Sequence, residues 1–378
     1  MDKLIRTLVF AILIALFAAQ PASAKPPRDG DQPLVQIALL LDTSNSMDGL
    51  IDQAKSQLWR IVNEVSRARF KGQTPRLEVS LYEYGNNRLN ARDEWIRMVQ
   101  PFTADLDAIS EALFNLSTSG GEEYCGAVIE RSLRQLDWTS QRDALKLIYI
   151  AGNEPFTQGP TPYRRALRKA DRKDVTVNTI FCGNFEDGRR GAWMKAASIA
   201  DGSYAVINQD RQVVHISAPQ DDEIARLSSE LNQTYIGYGA KGKRKKERQV
   251  RMDKSARAVA QGAPVARAVA KAGTMYTQSE WDLVDAMEEG TVDVGALSAS
   301  ELPTRMSGMV ASERTEFVKK NAKKRKKLKA KILKLNKERE KHVAEKKAKA
   351  GKEEDKTLDQ ALIEALQKAG KSRGFTFE

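Results

Sequence analysis

The chain is poor in the residues on which catalysis most often depends. It has two histidines and two cysteines in 378 residues. A cysteine nucleophile needs a histidine partner. Neither His215 nor His342 falls near Cys125 or Cys182 in the expected layout, so Cys-His catalysis is not expected, and an enzyme is the least favoured alternative. No His-Glu-x-x-His, Gly-x-Ser-x-Gly or Cys-x-x-Cys occurs, and the chain offers no enzyme signature. No cysteine precedes Cys125, which excludes a lipid-modified N-terminal cysteine. No apolar run after the first residues approaches transmembrane length. Aromatic residues make up 7% of the chain and are scarce in its second half.

Lys3 and Arg6 form a basic start, Leu8 to Ala19 is almost wholly apolar, and Ala22-Ser23-Ala24 is a small-x-small cleavage site. The pattern predicts a signal peptide over 1–24, cleaved after Ala24, and a periplasmic or secreted mature protein. Two cysteines in an oxidising compartment suggest one disulfide, Cys125–Cys182. The plainer alternative is two separate buried thiols.

From Val35 onward strand and helix signals alternate. Val35–Leu41, Leu77–Tyr82, Trp95–Phe102, Leu145–Ile150, Val175–Cys182 and Ser203–Ile207 read as six strands. Helical spacing separates them over Leu50–Phe70, Asp105–Leu116, Glu123–Trp138, Tyr163–Lys173 and Trp193–Ala200, and a closing helix follows at Asp221–Leu231. This alternation predicts an α/β fold, a doubly wound, mainly parallel, Rossmann-like six-stranded sheet.

The first strand runs straight into Asp42-Thr43-Ser44-Asn45-Ser46. Asp-x-Ser-x-Ser at a strand end delivers one carboxylate and two hydroxyls to the carboxyl edge of the sheet, where open α/β folds bind ligands. Hard oxygen donors in a tight turn suit Mg²⁺, which keeps some waters and takes few carboxylates. The alternative is a helix cap, since Asp and Ser open helices generally and a helix starts near Asp48.

Residues from about Leu34 to His215 resemble a von Willebrand factor type A domain. The likeness rests on Asp42-x-Ser44-x-Ser46, on Gly120-Gly121 before a helix, on the turn Ile150 to Pro155, and on Ala200-Asp201-Gly202-Ser203-Tyr204. It implies a metal-ion-dependent adhesion site holding Mg²⁺, Mn²⁺ or Ca²⁺. In that family a second loop offers Thr just after a Gly pair, and a third offers Asp in a Thr-Asp-Gly turn. Here Glu122 stands at the Thr position, and the third loop reads Ala151-Gly152-Asn153. The resemblance thus implies the ligand set Asp42, Ser44, Ser46, Glu122 and Asn153, with Glu154 as another oxygen source. It implies a protein partner whose acidic side chain completes the ion's shell. A metal-independent scaffold is the competing expectation.

Gly237-Tyr238-Gly239-Ala240-Lys241-Gly242 fits a dinucleotide pattern, but it follows a predicted helix and leads into a Lys/Arg cluster, so it reads as a hinge. The expected layout is a signal peptide (1–24), the A-type domain (33–218), a closing helix and basic hinge (219–250), a small helical region (251–310) and a basic helical arm (311–378). The net charge of +12 is concentrated in the second half. Lys319–Lys349 carries a thin apolar stripe of Val318, Leu328, Ile332 and Leu335, against which a second stripe at Leu358, Leu362 and Leu366 could pack as a short coiled coil. The lysines suit anionic envelope components. Nucleic acid is not expected, because no aromatics interleave with the charge. No small-molecule substrate is expected either.

Overall fold

The computed structural model describes residues 32–208, 215–350 and 357–377. The expected signal peptide and its cleavage site lie outside them. The apolar run becomes β1 (Leu34–Asp42), buried along its whole length. It is followed by α1 (Asp48–Arg67), β2 (Ala68–Phe70), β3 (Arg76–Tyr84), β4 (Ile96–Thr103), α2 (Leu106–Phe114), α3 (Cys125–Gln135), β5 (Leu145–Gly152), α4 (Tyr163–Arg172), β6 (Thr176–Cys182), α5 (Phe185–Arg190), α6 (Trp193–Ile199) and β7 (Tyr204–Ile207). Six strands form one sheet in the order β4-β3-β1-β5-β6-β7, parallel except for β4, which runs antiparallel to β3 at one edge. All six expected strands are present.

Helices cover both faces of the sheet. Ala38, Leu40, Ile148 and Ile150 pack with Val128, Leu133, Leu167 and Trp193 on one face. Val35, Ile37, Leu39 and Leu147 pack with α1 and α2 on the other. Cys182 lies in this second core and Cys125 in the first, so the sheet separates them. Both are buried, and the expected Cys125–Cys182 bridge is not formed.

The later helices extend the second core. They are α7 (Asp221–Gln233), α8 (Gly239–Val259), α9 (Ala263–Ala272), α10 (Leu283–Glu288), α11 (Ala311–Ala350) and α12 (Leu358–Ser372), followed by β8 (Phe375–Phe377), which pairs with β2. The expected hinge is stitched in place. Ile236 and Tyr238 exchange backbone hydrogen bonds with Leu283 and Trp281 at 2.9 Å each, and α8 begins at Gly239. Nor is the basic segment a detached arm, because residues 33–378 form one compact unit. Leu328 and Ile332 of α11 reach the main core, while Val318 joins a satellite core with Ile236, Leu283 and Val294. The second stripe does not need α11. α12 packs on α1 and on β5, β6 and β7, and Tyr149 Oη donates to Leu362 O at 3.1 Å.

Two buried guanidinium groups lock these layers. Arg267 on α9 meets Asp107 of α2 at 2.7 Å, pairs with Asp253 of α8 and lies over the Trp59 ring. Arg325 on α11 meets Asp282 and Asp285 at 2.6 Å each, donates to Thr234 O at 2.8 Å and covers the Tyr235 ring. Removing one partner of a buried ion pair leaves the other charge uncompensated, at a cost of about 3–5 kcal/mol. Arg325→Met should therefore lower unfolding stability by about that amount, measured by urea denaturation with a single transition. A loss below about 1 kcal/mol, or a separate early transition for the helical region, would show that Arg325 does not bind the two parts together.

Candidate metal centre

Strand register sets the first part of the site. Asp42 is the last residue of β1, opposite Tyr84 at the end of β3, and Leu41 pairs with Ala151 near the end of β5. Three adjacent parallel strands thus end together, and their loops converge. Asp42 is fully buried. Its Oδ1 accepts from Ser44 N–H at 2.8 Å. Ser44 and Ser46 hydroxyls lie 3.2 Å apart. Asn153 Nδ2 donates to Ser46 Oγ at 3.1 Å. The expected Asp42, Ser44, Ser46 and Asn153 are therefore brought together. The capping alternative fails, because neither Ser44 nor Met47 caps its helix through a side chain.

Glu122 is exposed and stands apart. Its neighbour Glu123 is buried and turns its carboxyl toward Asp42 and Ser44. Two glycines make room for this. A Cβ on Gly85, whose φ is +78°, would sit 2.7 Å from Glu123 Cγ and 2.8 Å from Asp42 Oδ1. A Cβ on Gly121 would sit 2.6 Å from Gly85 O. The second loop therefore lies directly on the loop after β3, tied by Asn87 N–H to Gly120 O at 2.7 Å, and it reaches the loop after β1 through Ser119 N–H to Thr43 O at 2.9 Å. Glu123 N–H donates to Gln158 Oε1 at 2.9 Å, which fixes its backbone. Sequence spacing misses Glu123 because the helical pattern takes it as a first-turn residue, whereas α3 begins two residues later, at Cys125.

The electrostatics are those of an unneutralised acidic pair. Burial, opposed mainly by the Ser44 N–H, pushes Asp42 up to about 6. Burial and then the Asp42 charge push Glu123 up to about 9, with Glu154 adding a smaller like-charge effect on both. Asp42 Oδ2, Glu123 Oε2 and Asn153 Oδ1 are buried without a hydrogen-bond partner. Three orphaned oxygens around two hydroxyls form a hard donor set with two carboxylates, which fits Mg²⁺ or a similar cation. Among the described residues no cluster of three or more His, Cys, Asp or Glu side chains is placed to hold a metal. A site of this kind would thus use mixed oxygen donors. Below it, Tyr84 Oη donates to Ala151 O at 2.9 Å and lies 3.8 Å from Cys125 Sγ. Burial pushes the Cys125 thiol well up, which suits a packing residue rather than a nucleophile.

The family model of the von Willebrand factor type A domain matches residues 36–215. The chain carries a von Willebrand factor type A domain. Domains of this family mediate protein–protein interaction. Similar solved structures include BatB from Bacteroides thetaiotaomicron, at 18% identity over 46% of this chain and 90% of that one, with a TM-score of 0.35. An aerotolerance-related membrane protein from Bacteroides fragilis is 16% identical over 47% and 93%, with a TM-score of 0.32. Proximal thread matrix protein 1 from the mussel byssus, solved with zinc in its MIDAS motif, is 9% identical over 48% and 43%, with a TM-score of 0.34. No curated protein matches the chain.

Two measurements test the centre of the A-type domain. Glu123→Gln removes a ligand and, with it, the cost of holding a buried carboxyl protonated. It should raise the melting temperature without divalent ions and abolish the rise that Mg²⁺ gives the wild type, about 2.7 kcal/mol at a hundredfold excess over the dissociation constant. Glu122→Gln should change neither, and a lost Mg²⁺ response in that variant would return the role to Glu122.

The second measurement is pH dependence under chelator. The folded-state value of Glu123, about 9, lies above the ordinary 4.5. The folded chain therefore keeps a proton that the unfolded chain has released, and stability falls as pH rises from about 4.5 to about 9. Urea midpoints between pH 6 and 9 should decline in the wild type and flatten in Glu123→Gln. Equal slopes would place the proton elsewhere.

Proposed function

We propose that this protein is a non-catalytic, exported interaction module that binds a protein partner through a modified metal-ion-dependent adhesion site. Asp42, Ser44, Ser46, Glu123 and Asn153 would hold Mg²⁺, Mn²⁺ or Ca²⁺. The observation that carries the reading is the set of buried, orphaned oxygens on Asp42, Glu123 and Asn153 at the carboxyl edge of the sheet. Such groups are costly unless something satisfies them, and a divalent cation satisfies all three at once.

A bound ion supplies a Lewis-acidic position that an oxygen ligand, most strongly a carboxylate, completes. The chain's own residues do the rest. Asp42 is oriented by the Ser44 N–H, Ser46 by Asn153, and Glu123 by Gln158. Export is part of the proposal and rests on the sequence of residues 3–24. Among the described residues no helix is long and apolar enough to cross a membrane.

The test is capture of a partner from envelope extract by the full mature chain, with and without chelator. Capture should require Mg²⁺ or Mn²⁺, and Asp42→Ala should lose it by at least tenfold while keeping the fold. Undiminished capture under chelator and by Asp42→Ala would leave the domain a metal-independent scaffold.

A further inference from the structure

The net charge of the chain is gathered on one helix. α11 carries fourteen lysines and three arginines against five glutamates, a formal charge of +12, equal to that of the whole chain. The remainder is electrically balanced. The three arginines are used internally. Arg325 is buried against Asp282 and Asp285, Arg339 pairs with Asp221 at 2.6 Å, and Arg314 donates to Met309 O and Leu297 O at 2.8 Å each. Val318, Leu328 and Ile332 turn inward beside them.

The outward face is therefore dominated by lysine, with the exposed Glu316, Glu338 and Glu345 as the acidic residues on the same side. Lys320, Lys323, Lys327 and Lys334 share one side of the helix at i, i+3, i+7 and i+14 and are exposed. Neighbouring Lys319 and Lys331 pair with Glu316 and Glu223, but these four have no carboxylate partner among the described residues. With Lys341, also exposed, the row spans about 30 Å at 1.5 Å per residue.

We propose that this lysine face of α11 docks the protein on anionic lipid headgroups. Lysine is a compact point charge without arginine's fixed fork, so it suits a diffuse layer of phosphates more than one shaped site. The helix is anchored to the body of the protein by Arg325 and cannot enter a nucleic-acid groove. Its outer face has no aromatic ring on which bases could stack. A flat bilayer, by contrast, presents charge to the whole row at once. The lysine row itself contains no apolar residue, so association is peripheral and reversible by salt. This surface is independent of the ion site.

The test is co-sedimentation of the full mature chain with vesicles of phosphatidylcholine alone or with 30% phosphatidylglycerol (about a third anionic lipid). Binding is expected only to the anionic vesicles at low salt, with release near 0.5 M NaCl. Lys320→Gln, Lys323→Gln, Lys327→Gln and Lys334→Gln combined should weaken it at least tenfold at an unchanged melting temperature. Chelator and Asp42→Ala should leave it unchanged. Failure of the wild type to bind, equal binding by the quadruple variant, or displacement from vesicles by duplex DNA or polyglutamate at equal charge concentration would each overturn the proposal.

Discussion

Two carboxylates that cannot both stay ionised in a dry sheet edge set the terms for the rest of the molecule. Strand register places Asp42, and β1 has no freedom to move it, since each of its residues is buried between β3 and β5. Two glycine positions admit Glu123 beside it. Left alone, the pair must hold a proton, as burial and mutual repulsion dictate. A cation removes that need. The surrounding fold has to be rigid enough to keep an unfavourable arrangement assembled, and a sheet covered on both faces supplies that rigidity.

The cover on one face is completed from the far end of the chain. Ile180, Cys182 and Ile207 lie toward the β7 edge, and α12 supplies Leu358, Leu362 and Leu366 to the core they share. Each such leucine contributes about 1.5–3 kcal/mol by burial. α12 is also tied to α1, with Leu358 N–H donating to Gln53 Oε1 at 3.0 Å and Arg60 meeting Asp359 at 2.8 Å. The helical region is thus structurally continuous with the A-type domain.

The sequence disclosed what depends on local pattern. All six strands were legible, because parallel strands buried on both faces leave continuous apolar runs, and Asp42, Ser44 and Ser46 follow directly from where β1 stops. Glu123 was not legible. Its neighbour has the same chemistry, and only the crossing of Gly121 over Gly85 decides which glutamate turns inward. The cysteines misled for a related reason. Both fall near the carboxyl edge, but Cys182 occupies a position on β6 that joins the core completed by α12, while Cys125 enters from a helix on the other side. The apolar stripes of α11 and α12 suggested mutual packing, yet a stripe records only that a face is buried, not what buries it.

Arginine and lysine are divided by the same physics that shapes the site. Guanidinium groups sit inside, where their several donors satisfy carboxylates and carbonyls together, as Arg325 does with Asp282, Asp285 and Thr234. Ammonium groups tolerate burial less well. Lys271, fully buried beside Asp253, is pushed down to about 8, chiefly by burial. A long basic helix that must pack one face on a core therefore turns its arginines inward and keeps most of its lysines in water. The outer charge of α11 is then more than solubilising surplus. Anchoring the helix through Arg325 leaves a lysine-rich face on which Lys320, Lys323, Lys327 and Lys334 have no carboxylate partner among the described residues, and such a face is most stable against a surface of opposite sign.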